Sequence, residues 1–203
     1  MLQLNHISVK GINGYILKDC TYRFNEGEIY VLYMKNKKDI KIFFDCLSNY
    51  RKPEEGEVTT WTDATIYNIS SRNDLPSDFT VGEFLYSLSK INGAEYNLEA
   101  ALENVPQIRE KSDIRIKDLS EEELKLLHTV TFMTVKSYIN LWGVPFAPDE
   151  YMEKLTDVVG EFNVYIFASD DINECNRIAE LFSVGLITCV DGGISEYKKN
   201  NNQ

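Results

Sequence analysis

The sequence predicts an α/β fold: a mostly parallel core sheet, an antiparallel β subdomain and an inserted helical lobe. Three observations carry this. First, an apolar run from Glu28 to Met34 enters a polar turn of lysines and Asn36, then leaves as an apolar-periodic segment with Ile40, Phe43, Phe44 and Leu47. Strand, loop, helix is the grammar of a loop that receives an anion on backbone N–H groups. Second, short alternating runs bounded by turn residues fill the first third of the chain. Third, strands alternate with helices in the last third, which implies parallel pairing.

Taken in order, Leu2, Leu4, Ile7 and Val9 alternate loosely with polar residues, and Gly11-Ile12-Asn13-Gly14 turns the chain into Tyr15 to Phe24. Asn13-Gly14 is a strong hairpin dipeptide. Asn25-Glu26-Gly27-Glu28 makes the next turn and feeds the central strand. The helix after it should end near Tyr50, with Lys52-Pro53-Glu54-Glu55-Gly56 turning into Glu57 to Trp61 and then Ala64 to Ile69, read as further short antiparallel strands.

From Thr80 the texture is helical. Phe84, Leu85, Leu88 and Ile91 have helical spacing, as do Leu98, Ala101 and Leu102. Ser120 and Glu123 form an S-x-x-E capping box ahead of a long helix. The remainder reads as a strand over Tyr138 to Val144, a helix over Tyr151 to Val159, a strand over Asn163 to Ala168, a helix over Asp171 to Phe182 and a strand over Val184 to Val190. The tail from Lys198 to Gln203 is polar and expected to fray.

The divisions that follow are 1–71, antiparallel β plus the strand-loop-helix unit; 72–137, helical lobe and long helix; and 138–203, completion of the α/β core. All 203 residues fit a single domain. A net charge of -11 argues against binding nucleic acid through its phosphates, because that affinity rests on Lys and Arg displacing counterions. Cys20, Cys46, Cys175 and Cys189 are too far apart for a CxxC pattern, and only His6 and His128 could add imidazole. They read as reduced, buried thiols of a cytosolic protein without structural zinc. The start MLQLNHISVK has no apolar signal region, and Leu126 to Phe146 is broken by His128, Lys136, Asn140 and Pro145, which disfavours a membrane span.

The order of these parts resembles the ATP-binding cassette family, the nucleotide-binding subunits of ABC transporters. The resemblance runs from Leu2 to Ile194. It rests on Asn25-Glu26-Gly27-Glu28-Ile29, Lys52-Pro53-Glu54-Glu55-Gly56-Glu57-Val58, Thr80-Val81-Gly82-Glu83-Phe84-Leu85, Leu119-Ser120 and Pro145-Phe146, in that order and at those spacings. It implies a P-loop NTPase-like cassette fold, and it fixes where the chemistry should be.

At those positions the chain departs from the family. The phosphate loop G-x-x-x-x-G-K-[ST] falls on Met34 through Lys41, so Met34 and Asp39 stand for its glycines, Ile40 for its lysine and Lys41 for its Mg²⁺-binding hydroxyl. A carboxylate at close approach repels phosphate, and Ile40 cannot neutralise it. The metal-contacting glutamine falls on Ser71. The L-S-G-G-Q signature becomes Leu119-Ser120-Glu121-Glu122-Glu123. The Mg²⁺-binding aspartate and catalytic glutamate fall on Gly143 and Val144, and the switch histidine on Asp170. The adenine-stacking aromatic falls on Gly11 or Ile12, with Tyr15 nearby. The resemblance therefore implies a degenerate cassette with no catalytic, cofactor-binding or metal residue retained and no cofactor.

Other polar clusters have ordinary explanations. Lys35, Lys37, Lys38 and Lys41 could form an anion pocket, but lysines on turns are usually solvated. Glu121 to Glu123 could dock a basic partner, yet suit a capped first turn. Asp170 and Asp171 could be a carboxylate pair, although such residues at a strand-helix junction usually cap the helix. His128 reads as packed or surface. Tyr30, Tyr33, Tyr67, Tyr86, Tyr138, Tyr151 and Tyr165 read as core or interface residues.

Three functions stay open at this level. One is a catalytically inactive subunit of an ABC transporter, partnered by a membrane subunit, a second ATP-binding subunit or both, with a homodimer also allowed. Contacts would lie around Ser71 to Leu88, for instance Phe79, Phe84 and Tyr86, and the chain would sit at the cytoplasmic face of the membrane through its partner. Another is a stand-alone regulatory protein that reuses the fold to bind a protein or small ligand. The third is a residual ATP-binding subunit with displaced motifs. The phosphate-loop corner itself is expected to be filled or collapsed.

Overall fold

A computed structural model describes residues 2–61, 64–71, 74–135, 137–158 and 160–196. In chain order the strands are β1 (Leu2–Lys10), β2 (Tyr15–Phe24), β3 (Glu28–Met34), β4 (Glu55–Thr60), β5 (Ile66–Ile69), β6 (Ile139–Trp142), β7 (Val164–Ser169), β8 (Leu186–Val190) and β9 (Gly193–Glu196). The helices are α1 (Lys37–Leu47), α2 (Val81–Asn92), α3 (Glu95–Asn104), α4 (Pro106–Arg109), α5 (Glu121–Thr134), α6 (Asp149–Met152) and α7 (Ile172–Leu181). They group into two units, one of Met1–Ser70, Tyr138–Gly143 and Glu161–Gln203, the other of Ser71–Ser137 and Val144–Gly160.

The first unit holds both sheets. One is antiparallel in the order β2-β1-β4; the other has six strands in the order β5-β6-β7-β3-β8-β9. β3 lies between β7 and β8, parallel to both, so its Tyr30, Val31, Leu32 and Met34 are buried on either face. A single apolar cluster joins β1 and β2 (Leu4, Leu17, Phe24) to α1 (Phe43, Phe44, Leu47) and to β6 and β7 (Leu141, Ile166). Trp142 lies 5.6 Å from Phe167, and Phe167 stacks on Phe182 at 5.4 Å. These rings close the other face of the parallel sheet.

The sequence misreads this unit in three places. Ile66–Ile69 is parallel to β6, not antiparallel, because it joins the core sheet beyond β6 and not the hairpin sheet. β9 is a further strand, paired antiparallel to β8 across a two-residue turn in which Asp191 (φ 54) and Gly192 (φ 85) are both left-handed. The first helix stops at Leu47, before Tyr50, where Ser48 turns its N–H and hydroxyl onto Phe44 C=O.

The second unit is helical. Thr80 and Glu83 complete a capping box on α2, and Gly93 in the left-handed region (φ 57) ends it. The buried face of α2 is Val81, Leu85 and Ser89, while Ile91, read as an inward position, is exposed. Ser120 and Glu123 cap α5 as the pattern predicts. Thr129, Thr131 and Thr134 are buried in α5 and donate their hydroxyls to Lys125, His128 and Val130 carbonyls, which satisfies them within the helix. His128 is also buried, as one of its two readings expected.

The helix read over Tyr151 to Val159 is instead α6 followed by a 3₁₀ stretch, Glu153–Val158; Val159 lies outside the described residues. Thr156, Asp157 and Val158 are poor helix formers, which favours the tighter turn. The predicted fraying of Lys198 to Gln203 also falls outside those residues. Among the described residues, no helix is long and apolar enough to cross a membrane. The cysteines are free; Cys46, Cys175 and Cys189 are buried, whereas Cys20 is only half-buried. Burial pushes the Cys46 thiol up to about 11 and those of Cys175 and Cys189 to about 12, so all three stay protonated near neutrality. Of the tyrosines read as core or interface, Tyr30 and Tyr165 are buried, Tyr33, Tyr67 and Tyr151 half-buried, and Tyr86 and Tyr138 exposed.

Candidate functional site

The strand-loop-helix predicted from sequence is formed by β3, Lys35-Asn36 and α1. Asn36 is the N-cap: its extended backbone breaks from the helix and its side-chain oxygen accepts the Lys38 N–H at 2.9 Å. Ile40, Phe43, Phe44 and Leu47 then share the buried face of α1. The lysines point away from this core. Lys35 pairs with Asp191 at 3.3 Å, Lys41 with Asp45 at 3.2 Å, and Lys37 and Lys38 are exposed.

The floor of the loop is apolar. Ile40 is 1% exposed and its Cγ2 would lie 2.6 Å from a Cβ built on Gly143; Phe44 Cε2 would lie at 3.2 Å. Gly143 therefore accepts Ile40 only because it has no side chain. Its N–H donates to Ile69 C=O at 2.8 Å, which holds the end of β6 against β5. Ile40 and Gly143 thus form one buried hydrocarbon contact. Neither contributes a side-chain group able to neutralise a phosphate or ligate Mg²⁺.

Asp39 closes the same corner from another side. Its Oδ1 accepts the Ile12 N–H at 2.9 Å, linking the start of α1 to the β1–β2 turn. Gly11 lies directly against that carboxylate and against Ile16, leaving no room for a Cβ. No local pattern signals this link, since Ile12 and Asp39 are 27 residues apart.

Beside this corner is a cleft of about 520 Å³ lined by Tyr15, Lys18, Lys35, Asn36, Asp39 and Asp191, among others. The expectation of a filled or collapsed corner is not met: Ile40 fills the floor, but Met34, Lys35, Asn36 and Asp39 of the loop itself line an open cleft. Tyr15 is 40% exposed, with the Lys10 and Lys18 ammonium groups 5.5 and 5.9 Å from its ring centre. Lys18 N–H donates to Gly192 C=O at 2.8 Å, so β2 is fastened to the β8–β9 turn that forms one wall.

The remaining sequence-predicted positions divide between the units. Asp170, in the first unit, is exposed after β7. Asp171 caps α7 by accepting the Asn173 N–H at 2.8 Å, as the ordinary reading of that pair expected. In the second unit, the Ser71 N–H donates to Asp74 Oδ2 at 2.8 Å, and Val144 is buried. Glu123 is held from two sides. Its Oε1 meets Lys111 Nζ at 2.6 Å, while its Oε2 accepts both the Ser120 N–H and hydroxyl at 2.8 Å. The Lys111 ammonium first, and the Ser120 donors next, hold its carboxyl down to about 2. Among the described residues, no three His, Cys, Asp or Glu side chains gather as a metal site.

The backbone geometry has clear counterparts among solved structures. An ABC transporter ATP-binding protein from Pyrococcus furiosus superposes with a TM-score of 0.68 at 18% identity, covering 84% of this chain and 91% of that one. A cassette solved as a dimer in a post-hydrolysis state with ADP and Pi superposes at 0.71 with 16% identity over the whole of both chains. A protein described as a cobalt transport ATP-binding protein gives 0.72 at 11% identity, covering 97% and 79%. The fold is that of an ABC transporter ATP-binding cassette. At these identities the likeness concerns the cassette fold and not its chemistry. No family model and no curated protein matches the sequence.

Proposed function

We propose that this chain is a catalytically inactive cassette subunit with a structural or regulatory role in an ABC transporter assembly, alongside an active ATP-binding subunit. The observation that carries the reading is the Ile40–Gly143 contact. In the cassette fold those positions should hold the phosphate-binding lysine and the Mg²⁺-binding aspartate; a buried methyl facing a glycine offers neither charge. Asp39 adds a negative charge at the start of α1, where a phosphate would need neutralisation. Ser120 supports the same view, because both of its donors are engaged by Glu123.

Phosphoryl transfer is almost entirely positioning and charge neutralisation, so losing these groups together removes the reaction and not merely its rate. The role left is to hold a partner in register, at the cytoplasmic face of the membrane. In this reading 72–137 supplies the partner-facing lobe and the two flanking segments the scaffold. Calorimetric titration with Mg-ATP and a phosphate-release assay test it: neither heat of binding nor turnover is expected. Micromolar Mg-ATP affinity, or turnover abolished by Lys41→Ala, would overturn it in favour of a residual ATPase.

The second reading is a stand-alone regulatory protein that binds another protein or a small ligand. The cleft beside Tyr15 favours it, since a concavity persists where the loop floor is filled. Purification from detergent-solubilised membranes separates the two. Recovery with a membrane subunit or a second cassette supports the transporter role; isolation of the chain by itself supports the other.

A further inference from the structure

Most carboxylates at a helix start serve their own helix. Asp39, the third residue of α1, instead accepts a backbone N–H from Ile12 in the β1–β2 turn. The carboxylate is half-buried, pressed on Gly11, and bounded by a stretch with Lys35, Lys37, Lys38 and Lys41. It therefore does two things that a bound anion would do at the same spot. It supplies negative charge to the positive end of α1, and it accepts a hydrogen bond from a neighbouring turn.

We propose that Asp39 is a built-in anion: a covalently attached substitute for an external one, which fixes the β1–β2 turn against α1 permanently. The inference rests on the inactive-cassette reading and adds to it that one wall of the Tyr15 cleft is set by the chain itself. The cleft is lined by Asn13 and Gly14 from that turn, by Tyr15 at the start of β2, and by Asn36 and Asp39 from the helix start, so the Asp39–Ile12 bond fixes their spacing. Its geometry then does not change with nucleotide or phosphate concentration. An anion entering beside the Asp39 carboxylate meets like-charge repulsion; without that carboxylate the Ile12 N–H loses its acceptor and the exposed Lys37 and Lys38 are the cations left beside it.

The test compares wild type, Asp39→Ala and Asp39→Asn in amide hydrogen exchange and thermal melting, with sodium pyrophosphate or sodium chloride at matched ionic strength. Protection of the Ile12 amide should fall about tenfold in Asp39→Ala. It should survive in Asp39→Asn, whose carbonyl can still accept. Pyrophosphate should raise the melting midpoint of Asp39→Ala by about 2–6 °C over chloride and leave wild type unmoved.

Unchanged Ile12 protection in Asp39→Ala, or equal stabilisation of wild type and variant by pyrophosphate, overturns the proposal. If Asp39→Ala folds only with pyrophosphate present, the proposal stands. If it folds in neither salt, Asp39→Asn decides: it removes the charge and keeps the acceptor, so pyrophosphate must stabilise it more than wild type. Binding or turnover of Mg-ATP by wild type would instead remove the inactive-cassette reading, independently of Ile12 exchange.

Discussion

Ile40 and Gly143 fit each other by subtraction: the Cγ2 of Ile40 lies 2.6 Å from where a Cβ on Gly143 would be. The contact is buried and includes Phe44, so neither position can change alone without disturbing α1 or the end of β6. Gly143→Ala should cost about 1–3 kcal/mol through overpacking, and Ile40→Ala about 2–5 kcal/mol through the cavity it leaves. The double variant should lose less than the two combined, by about 1 kcal/mol, because the added methyl occupies part of the space vacated. Urea denaturation of the four proteins measures this coupling; strict additivity would show that the two residues do not share a packing site.

The acid sensitivity of the second unit should carry the signature of Glu123. Its carboxyl is held at about 2 against an ordinary 4.5, principally by Lys111 and then by Ser120. A lowered folded-state value means that the stabilisation is fully present above about 4.5 and disappears as pH falls toward about 2. The side chain is 27% exposed, and solvent screening reduces the expected contribution to about 1 kcal/mol. Glu123→Gln should therefore be less stable than wild type at pH 7 and closer to it at pH 2.5. Stability profiles that remain parallel through that window would contradict the assignment.

The cap on α1 makes a third prediction. Asn36 accepts the Lys38 N–H and starts the helix that carries Ile40 and Phe44. Asn36→Ala should cost about 1 kcal/mol, while Asn36→Asp, which retains an acceptor, should cost little. Denaturation midpoints of the two variants give the comparison.

These residues also mark what could be read from the sequence. The cap at Ser120 and Glu123, the hairpin around Asn13-Gly14 and the buried β3 are set by neighbours in sequence, and all three appear in the structure. Periodicity could not reveal that Ile66–Ile69 is parallel, because a four-residue apolar run carries no direction and its partner is more than 70 residues away. The site divides the same way. Resemblance placed Ile40 and Gly143 at the loop corner, yet it could not say that one fills the space of the other. The Asp39–Ile12 bond and the Tyr15 cleft depend on tertiary approach across the β1–β2 turn and had no local signal.

The surface of α2 separates a folding role from a docking role. Val81, Leu85 and Ser89 face inward, Phe84 is half-buried, and Tyr86 is 60% exposed with Lys90 Nζ 5.3 Å from its ring centre. Phe79, just before the helix, is 45% exposed, although its backbone carbonyl is fixed by the Ile116 N–H at 3.0 Å. Replacing Phe79 and Tyr86 with serine thus removes exposed aromatic area while leaving the capping box and the buried face of α2 intact. The fold should change by no more than about 0.5 kcal/mol per site. If this face engages a transporter subunit, the same double substitution should sharply reduce co-purification from detergent-solubilised membranes, because aromatic residues carry much of an interface's energy. Leu85→Ser is the contrasting variant: it alters a buried position and should lower thermal stability before any loss of partner is considered. Full partner recovery by the Phe79/Tyr86 variant would exclude this face as the docking surface.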